Sequence, residues 1–138
     1  MPLGGEGVQT ELSREMQAPD YLRAIPALQR FSLRLVSLWE DHDLLLTPTM
    51  ARPPAPLGEI RGDDADGALL AATPYAAFTV PFNVTGQPAM SVPLHWSDGL
   101  PIGVQLVAAT GREDVLVRVA AQLETARPWI ERRPPVHA

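Results

Sequence analysis

Hydrophobic residues recur along this chain in two rhythms, and the switch between them outlines the fold. From Ala27 the spacing is three and four. Leu28, Phe31, Leu35, Leu38 and Trp39 fall near one stripe, with Arg30, Arg34 and Glu40 largely off it. That is the pattern of an amphipathic helix whose apolar stripe packs on a core. The helix should open at Ala18-Pro19-Asp20, with Asp20 capping free N–H groups of the first turn. Pro26 should kink it or make it restart near Ala24. Glu40-Asp41-His42-Asp43 should end it as a solvated turn. The run DLLLT (residues 43–47), stopped by Pro48, suits a short strand buried on both faces.

Residues 48–67 read as a long loop, in which Pro48, Pro53, Pro54 and Pro56 favour extended backbone. Loops of this length are often functional or tied down by a neighbour. Its acidic end, DDADG (residues 63–67), lacks the spacing of a calcium loop and suits a surface turn before the next helix. Thr73-Pro74 suits a cap and first helical position, predicting a helix from about Pro74 to Asn83 or Val84. Pro81 should kink or split that helix, and Gly86 should stop it.

The rhythm then changes to two. Met90, Val92, Leu94 and Trp96 alternate with Ala89, Ser91, Pro93 and His95. Ile102, Val104, Leu106 and Ala108 alternate with Gly103, Gln105 and Val107. Two strands joined at Ser97-Asp98-Gly99 make a hairpin, because Asp-Gly accepts positive φ. Each strand has one bulky apolar face and one small or partly polar face, as expected where a helix or another backbone comes close. Pro93 cannot donate to a ladder, so one neighbour should be absent or shifted there. Thr110-Gly-Arg-Glu113 reads as a capping box for a last helix bearing Val115, Leu116, Val119, Ala120 and Leu123. Pro128 should stop that helix, with Trp129 packing back. Residues 1–18, with Gly4, Gly5 and Gly7, read as an irregular arm, leaving 19–138 as the folded segment. The fold class is α/β, with about three strands and three helices.

Composition narrows the function. The chain has 138 residues, a net charge of -5 and no cysteine, and all its basic residues are arginine. No basic run suggests nucleic-acid binding, and no apolar run is long enough to span a bilayer. The N-terminal stretch lacks the charge and apolar core of a signal peptide, so a soluble cytoplasmic protein is expected. Neither cofactor nor metal is expected: there is no phosphate-cradling glycine loop, and His42, His95 and His137 lack ligand spacing. The serines, Ser13, Ser32, Ser37, Ser91 and Ser97, include none in a nucleophile elbow. From the residues alone no active site can be assembled.

The stretch FTVPFNVTGQPAMSVP (residues 78–93), with DGLPIGVQLV (98–107) after it and DLLLTPT (43–49) before it, resembles the C-terminal part of amidase-signature enzymes. The likeness runs from about Tyr21 to Pro135 and includes a terminal helix with Glu124 and a Trp near Pro residues. It implies part of an α/β/α sandwich with a mixed sheet, in an enzyme that cleaves carboxamide C–N bonds. The family's Ser–Ser–Lys triad lies in its N-terminal part, and a chain without lysine cannot supply that base. No catalytic residue is therefore carried over, and the chain alone is expected to be inactive. The resemblance places Phe78, Thr79, Phe82 and Asn83 at the substrate pocket; Thr79 and Asn83, four apart, would share a helix face. The alternative for Thr79 and Asn83 is that they only satisfy local backbone groups. Ala76 stands where glutamine-using members tend to carry Asp, which favours a general amidase of apolar or aryl amides.

The expected partners are a small-molecule amide and either the N-terminal amidase part or a second copy meeting an exposed sheet. Two other readings stay open: a non-catalytic subunit that binds a catalytic chain, and an unrelated small α/β structural domain.

Overall fold

The structure is a computed structural model, and it describes residues 16–60 and 65–132. The expected irregular arm and part of the acidic turn lie largely outside those residues. Helix α1 spans Ala18–Val36 and runs on into a 3₁₀ turn, Ser37–Glu40. Asp20 is not the cap residue, which is Gln17; it stands in the first turn, where its carboxylate accepts the Gln17 N–H at 3.2 Å and pairs with Arg23 at 3.0 Å. Pro26 neither breaks the helix nor restarts it; one continuous helix includes it.

Three antiparallel strands follow in the spatial order β1-β3-β2: β1 Leu45–Pro48, β2 Ala89–Ser97 and β3 Leu100–Val107. The hairpin turn has φ +51° at Asp98 and +78° at Gly99, the two positive values that a type I′ turn needs. Pro93 pairs with Gly103 but His95 pairs with Ile102, so Leu94 is left over and the register shifts there. That is the expected consequence of Pro93, and β2 is in addition an edge strand.

Each sheet face carries a packed layer over part of its extent. On one lies helix α4, Glu113–Ala126, and the core there joins Val92, Leu106, Ala108 and Leu116, with Met90, Val104, Leu123 and Trp129 against it. On the other lies the segment 73–85, whose Phe78 carbonyl reaches Gln105 of β3. The bulky and the small faces read from the sequence thus meet the surfaces expected of them. β1 differs: Leu46 is 56% exposed, so the strand is not buried on both faces. It is an edge strand whose Leu46 side has no covering layer among the described residues.

Between β1 and β2 the chain makes α2 (Ala65–Ala72), a 3₁₀ turn (Thr73–Ala76) and α3 (Val80–Thr85). The single helix expected over residues 74–84 is thus two turns of different pitch. Pro74 and Pro81 each lack an N–H and each sits at the start of a new helical segment, where that donor is not needed. Gly86, at φ +72°, stops α3 with its N–H on the Phe82 carbonyl, as expected.

Two further expectations fail. The Thr110 capping box does not form, because α4 begins at Glu113 with Arg112 as its cap residue. Gly111, at φ +78°, takes Thr110 out of line; Arg112 and Arg118 instead bind Asp114 at 3.0 and 3.4 Å. The apolar stripe of α1 does not pack on a core. No residue of α1 is buried, Leu28 is 50% and Phe31 41% exposed, and Leu38 beyond the helix is exposed as well. Spacing identifies the apolar side of a helix but not whether anything covers it. Among the described residues α1 packs chiefly against the short α3. No described helix is long and apolar enough to cross a membrane.

Candidate functional site

The four sequence-predicted pocket residues sit together on the short segment that covers the sheet's small face. Phe82 points inward and is 6% exposed. Buried to that degree, it offers no surface to a ligand in this arrangement. The Phe78 carbonyl accepts a hydrogen bond from Gln105 Nε2 at 2.9 Å. Thr79 is half-buried; its hydroxyl donates to the Ala76 carbonyl at 3.1 Å, and its own carbonyl accepts the N–H groups of Phe82 and Asn83. Its polar atoms thus serve the local backbone. Asn83 is exposed, next to Val84 on the outer side of α3.

Val84 borders a groove of about 620 Å³ between α3 and α1, completed by Ile25, Leu28, Gln29, Ser32 and Leu33. The groove is mostly apolar, and the Ser32 hydroxyl is already donated to the Leu28 carbonyl at 2.9 Å. None of the four expected residues lines this groove; their segment borders it through Val84 alone.

A second concavity escaped sequence reasoning. It has a volume of about 540 Å³ and lies under the Pro-rich loop after β1, against Ser91 and Pro93 of β2 and Gly103 of β3. Its floor is polar. Thr49 Oγ1 and Ser91 Oγ are 2.7 Å apart and meet across Gly103. A Cβ at residue 103 would lie 2.6 Å from Ser91 Oγ and 2.7 Å from Thr49 Oγ1, so only glycine admits this bridge. The Thr49 N–H also donates to the Gly103 carbonyl at 3.0 Å. Beneath it Gln105, 4% exposed, donates from Nε2 to Thr47 Oγ1 at 3.0 Å as well as to the Phe78 carbonyl. One amide therefore ties together β1, β3 and the pocket segment. The far end of the loop is pinned by Tyr75. Its hydroxyl donates to Glu59 at 3.3 Å, Arg52 stacks on its ring at 5.4 Å, and Arg52 lies 3.9 Å from Glu59.

The titratable residues build no further chemistry. Glu40, Asp41, His42 and Asp43 are all exposed, and His42 Nδ1 faces the Leu38 carbonyl at 3.2 Å. No group of three or more His, Cys, Asp or Glu side chains among the described residues is placed to hold a metal ion.

Against known proteins the match is extensive. Residues 6–117 match the Amidase family. Over 123 residues the chain is 47% identical to the 6-aminohexanoate-cyclic-dimer hydrolase of Pseudomonas sp. (strain NK87), covering 83% of this chain and 25% of that protein. The hydrolase of the same name from Paenarthrobacter ureafaciens is 46% identical over the same length and with the same coverage. A solved structure of 6-aminohexanoate cyclic dimer hydrolase superposes with a TM-score of 0.80 at 41% identity, over 88% of this chain and 27% of that one. The chain spans about a quarter of the length of the curated relatives it matches. The sheet with helices on both faces, the match of residues 6–117 and the identity to these hydrolases agree: this chain belongs to the amidase family.

Proposed function

We propose that residues 19–138 form the C-terminal segment of an amidase-signature amidohydrolase, an enzyme that hydrolyses a carboxamide C–N bond to an acid and an amine or ammonia. The segment completes the sheet and supplies one wall of the acyl pocket. The Ser–Ser–Lys machinery comes from another segment, in keeping with a chain that contains no lysine. The protein works in the cytoplasm on a small amide and needs neither cofactor nor metal.

The observation that carries this proposal is the division of labour within α3. Phe82 is the buried residue of α3, while Asn83 and Val84 are exposed and Val84 lines the apolar groove against α1. A wall of Val84, Leu28 and Leu33, with the Gln29 carboxamide in the lining, suits an uncharged amide with an apolar acyl chain. The relatives' name supplies one substrate of that description, the cyclic dimer of 6-aminohexanoate.

The test replaces the matching quarter of a 6-aminohexanoate-cyclic-dimer hydrolase with this chain and follows cyclic-dimer hydrolysis. Val84→Trp, which fills the groove, should raise KM about tenfold or more with a smaller change in kcat; an Asn83→Ala variant should shift KM in the same direction. Unchanged kcat/KM in both variants would remove the groove from the substrate path.

A further inference from the structure

We infer that Asp98–Gly99, at the tip of the hairpin, is a site of spontaneous covalent modification: the Gly99 backbone nitrogen closes on the Asp98 carboxyl, and the resulting succinimide reopens to isoaspartate. The inference is independent of the proposal for the α1–α3 groove.

The reaction needs a carboxyl one methylene from the backbone, an unhindered amide nitrogen directly after it, and freedom for the two to approach. Any Asp-Gly sequence supplies the first two, because glycine has no Cβ to crowd its nitrogen. The structure supplies the third. Asp98 and Gly99 are both exposed and lie between the last residue of β2 and the first of β3. Among the described residues the Gly99 N–H makes no hydrogen bond, and a Cβ built on Gly99 meets nothing within 4 Å. The Asp98 carboxylate enters no ion pair there. What it does receive is the Ser97 hydroxyl, which donates to Oδ2 at 3.2 Å. Asp98 is also the one non-glycine residue described with positive φ, at +51°, a conformation that costs an L-residue energy through its Cβ. In isoaspartate the main chain itself runs through Cβ, so the product escapes that constraint.

The bonds balance without a further reactant. The Gly99 nitrogen attacks Cγ of the protonated carboxyl; an N–Cγ bond forms, a Cγ–O bond breaks, and the amide hydrogen leaves with the hydroxyl as water. The Ser97 hydroxyl stands where it can donate to the oxygen that gathers charge as the nitrogen adds. Water then opens the ring. Opening at Cγ restores aspartate; opening at the Asp98 main-chain carbonyl leaves isoaspartate with a free α-carboxylate. Net charge is unchanged, but the turn gains one backbone atom between Ser97 and Leu100, which pair across it. Next to them Trp96 pairs with Pro101 and carries Arg132 over its ring at 4.2 Å, so this end of the hairpin is the part that loosens. The second Asp-Gly of the chain, Asp66–Gly67, lies within helix α2. Ring closure there has to unwind a helical turn, so the hairpin turn selects residue 98.

The test ages the purified full chain at neutral pH, folded and in urea, then digests it and separates aspartate from isoaspartate at each Asp-Gly by electron-transfer fragmentation. Methyl transfer by an isoaspartate O-methyltransferase counts the product independently. In the folded chain isoaspartate is expected at residue 98, preceded by a peptide lighter by one water, with little at residue 66; in urea both positions should react. Gly99→Ala should lose most of the product at residue 98. Ser97→Ala, which leaves both turn residues in place and keeps the test decisive should Gly99→Ala not fold, should slow its formation. Product at residue 98 in urea but not in the folded chain, equal product at residues 98 and 66 in the folded chain, or unchanged yield in both variants would each overturn the assignment.

Discussion

Gln105→Leu offers the sharpest check on how the pocket segment is held. Gln105 is the polar residue at the centre of the small face, and its Nε2 is shared between Thr47 Oγ1 at 3.0 Å and the Phe78 carbonyl at 2.9 Å. Leucine has nearly the same reach and suits a strand, so the substitution removes the two bonds without opening a large hole. Each neutral hydrogen bond contributes about 1 kcal/mol net. The Phe78 carbonyl loses the donor that Gln105 supplies, and a buried acceptor left unsatisfied costs about 1–3 kcal/mol. Thr47 lies on a part-buried edge strand and can turn its hydroxyl to water. The extra apolar burial of leucine offsets about 1 kcal/mol. The balance is a destabilisation of about 2 kcal/mol. Urea unfolding followed by circular dichroism measures it as a lower midpoint at unchanged slope. Gln105→Glu should be worse still, since its carboxylate faces the Phe78 carbonyl, which cannot donate, and has only the Thr47 hydroxyl to turn towards it. A Gln105→Leu variant as stable as the parent would refute the argument that this amide fastens the segment to the sheet.

Other consequences follow from single residues. Gly86→Ala should cost about 1 kcal/mol in urea unfolding, because an added Cβ meets nothing within 4 Å and the penalty comes only from φ +72°. Leu28→Gln with Leu33→Gln on exposed α1 should cost under about 1 kcal/mol in the same assay, because neither side chain is buried. Asp114 should titrate below the usual carboxylate range by NMR. Its hydrogen bond from Arg112 is the main cause, followed by the charges of Arg112 and Arg118 and opposed by partial desolvation. A carboxylate whose folded pKa lies below its unfolded value adds stability above that unfolded value, and the contribution fades as pH falls through the folded pKa. Arg112→Ala should return the Asp114 midpoint towards the ordinary value.

What was legible in the sequence was local. Asp98-Gly99 foretold the hairpin turn, Gly86 the helix stop and Pro93 the shifted register, since each acts through its own backbone. The small face of β3 correctly signalled a close neighbour. What was not legible depends on residues far apart in sequence. Thr49 meets Ser91 across 42 positions and Gln105 meets Phe78 across 27, and no periodicity reports such pairings. The lost capping box at Thr110 shows the same limit nearer by: the motif was present, but the left-handed turn at Gly111 moved it out of place. The stripe on α1 was read correctly as apolar and wrongly as packed, because a helix does not encode what covers it. The four pocket residues rest on family resemblance, and the structure separates them into one buried, Phe82, two whose polar atoms serve local hydrogen bonds, Phe78 and Thr79, and one exposed, Asn83.

We propose that this chain contributes a sheet and a pocket wall to an amidase active site whose nucleophile and base lie in another segment. The most direct measurement compares amide hydrolysis by the chain alone with hydrolysis by a 6-aminohexanoate-cyclic-dimer hydrolase carrying this chain in place of its matching quarter. The account predicts no turnover by the chain alone and hydrolysis of the cyclic dimer by the chimaera. Turnover by the chain alone, or a folded chimaera that binds the dimer and leaves it intact, would contradict it.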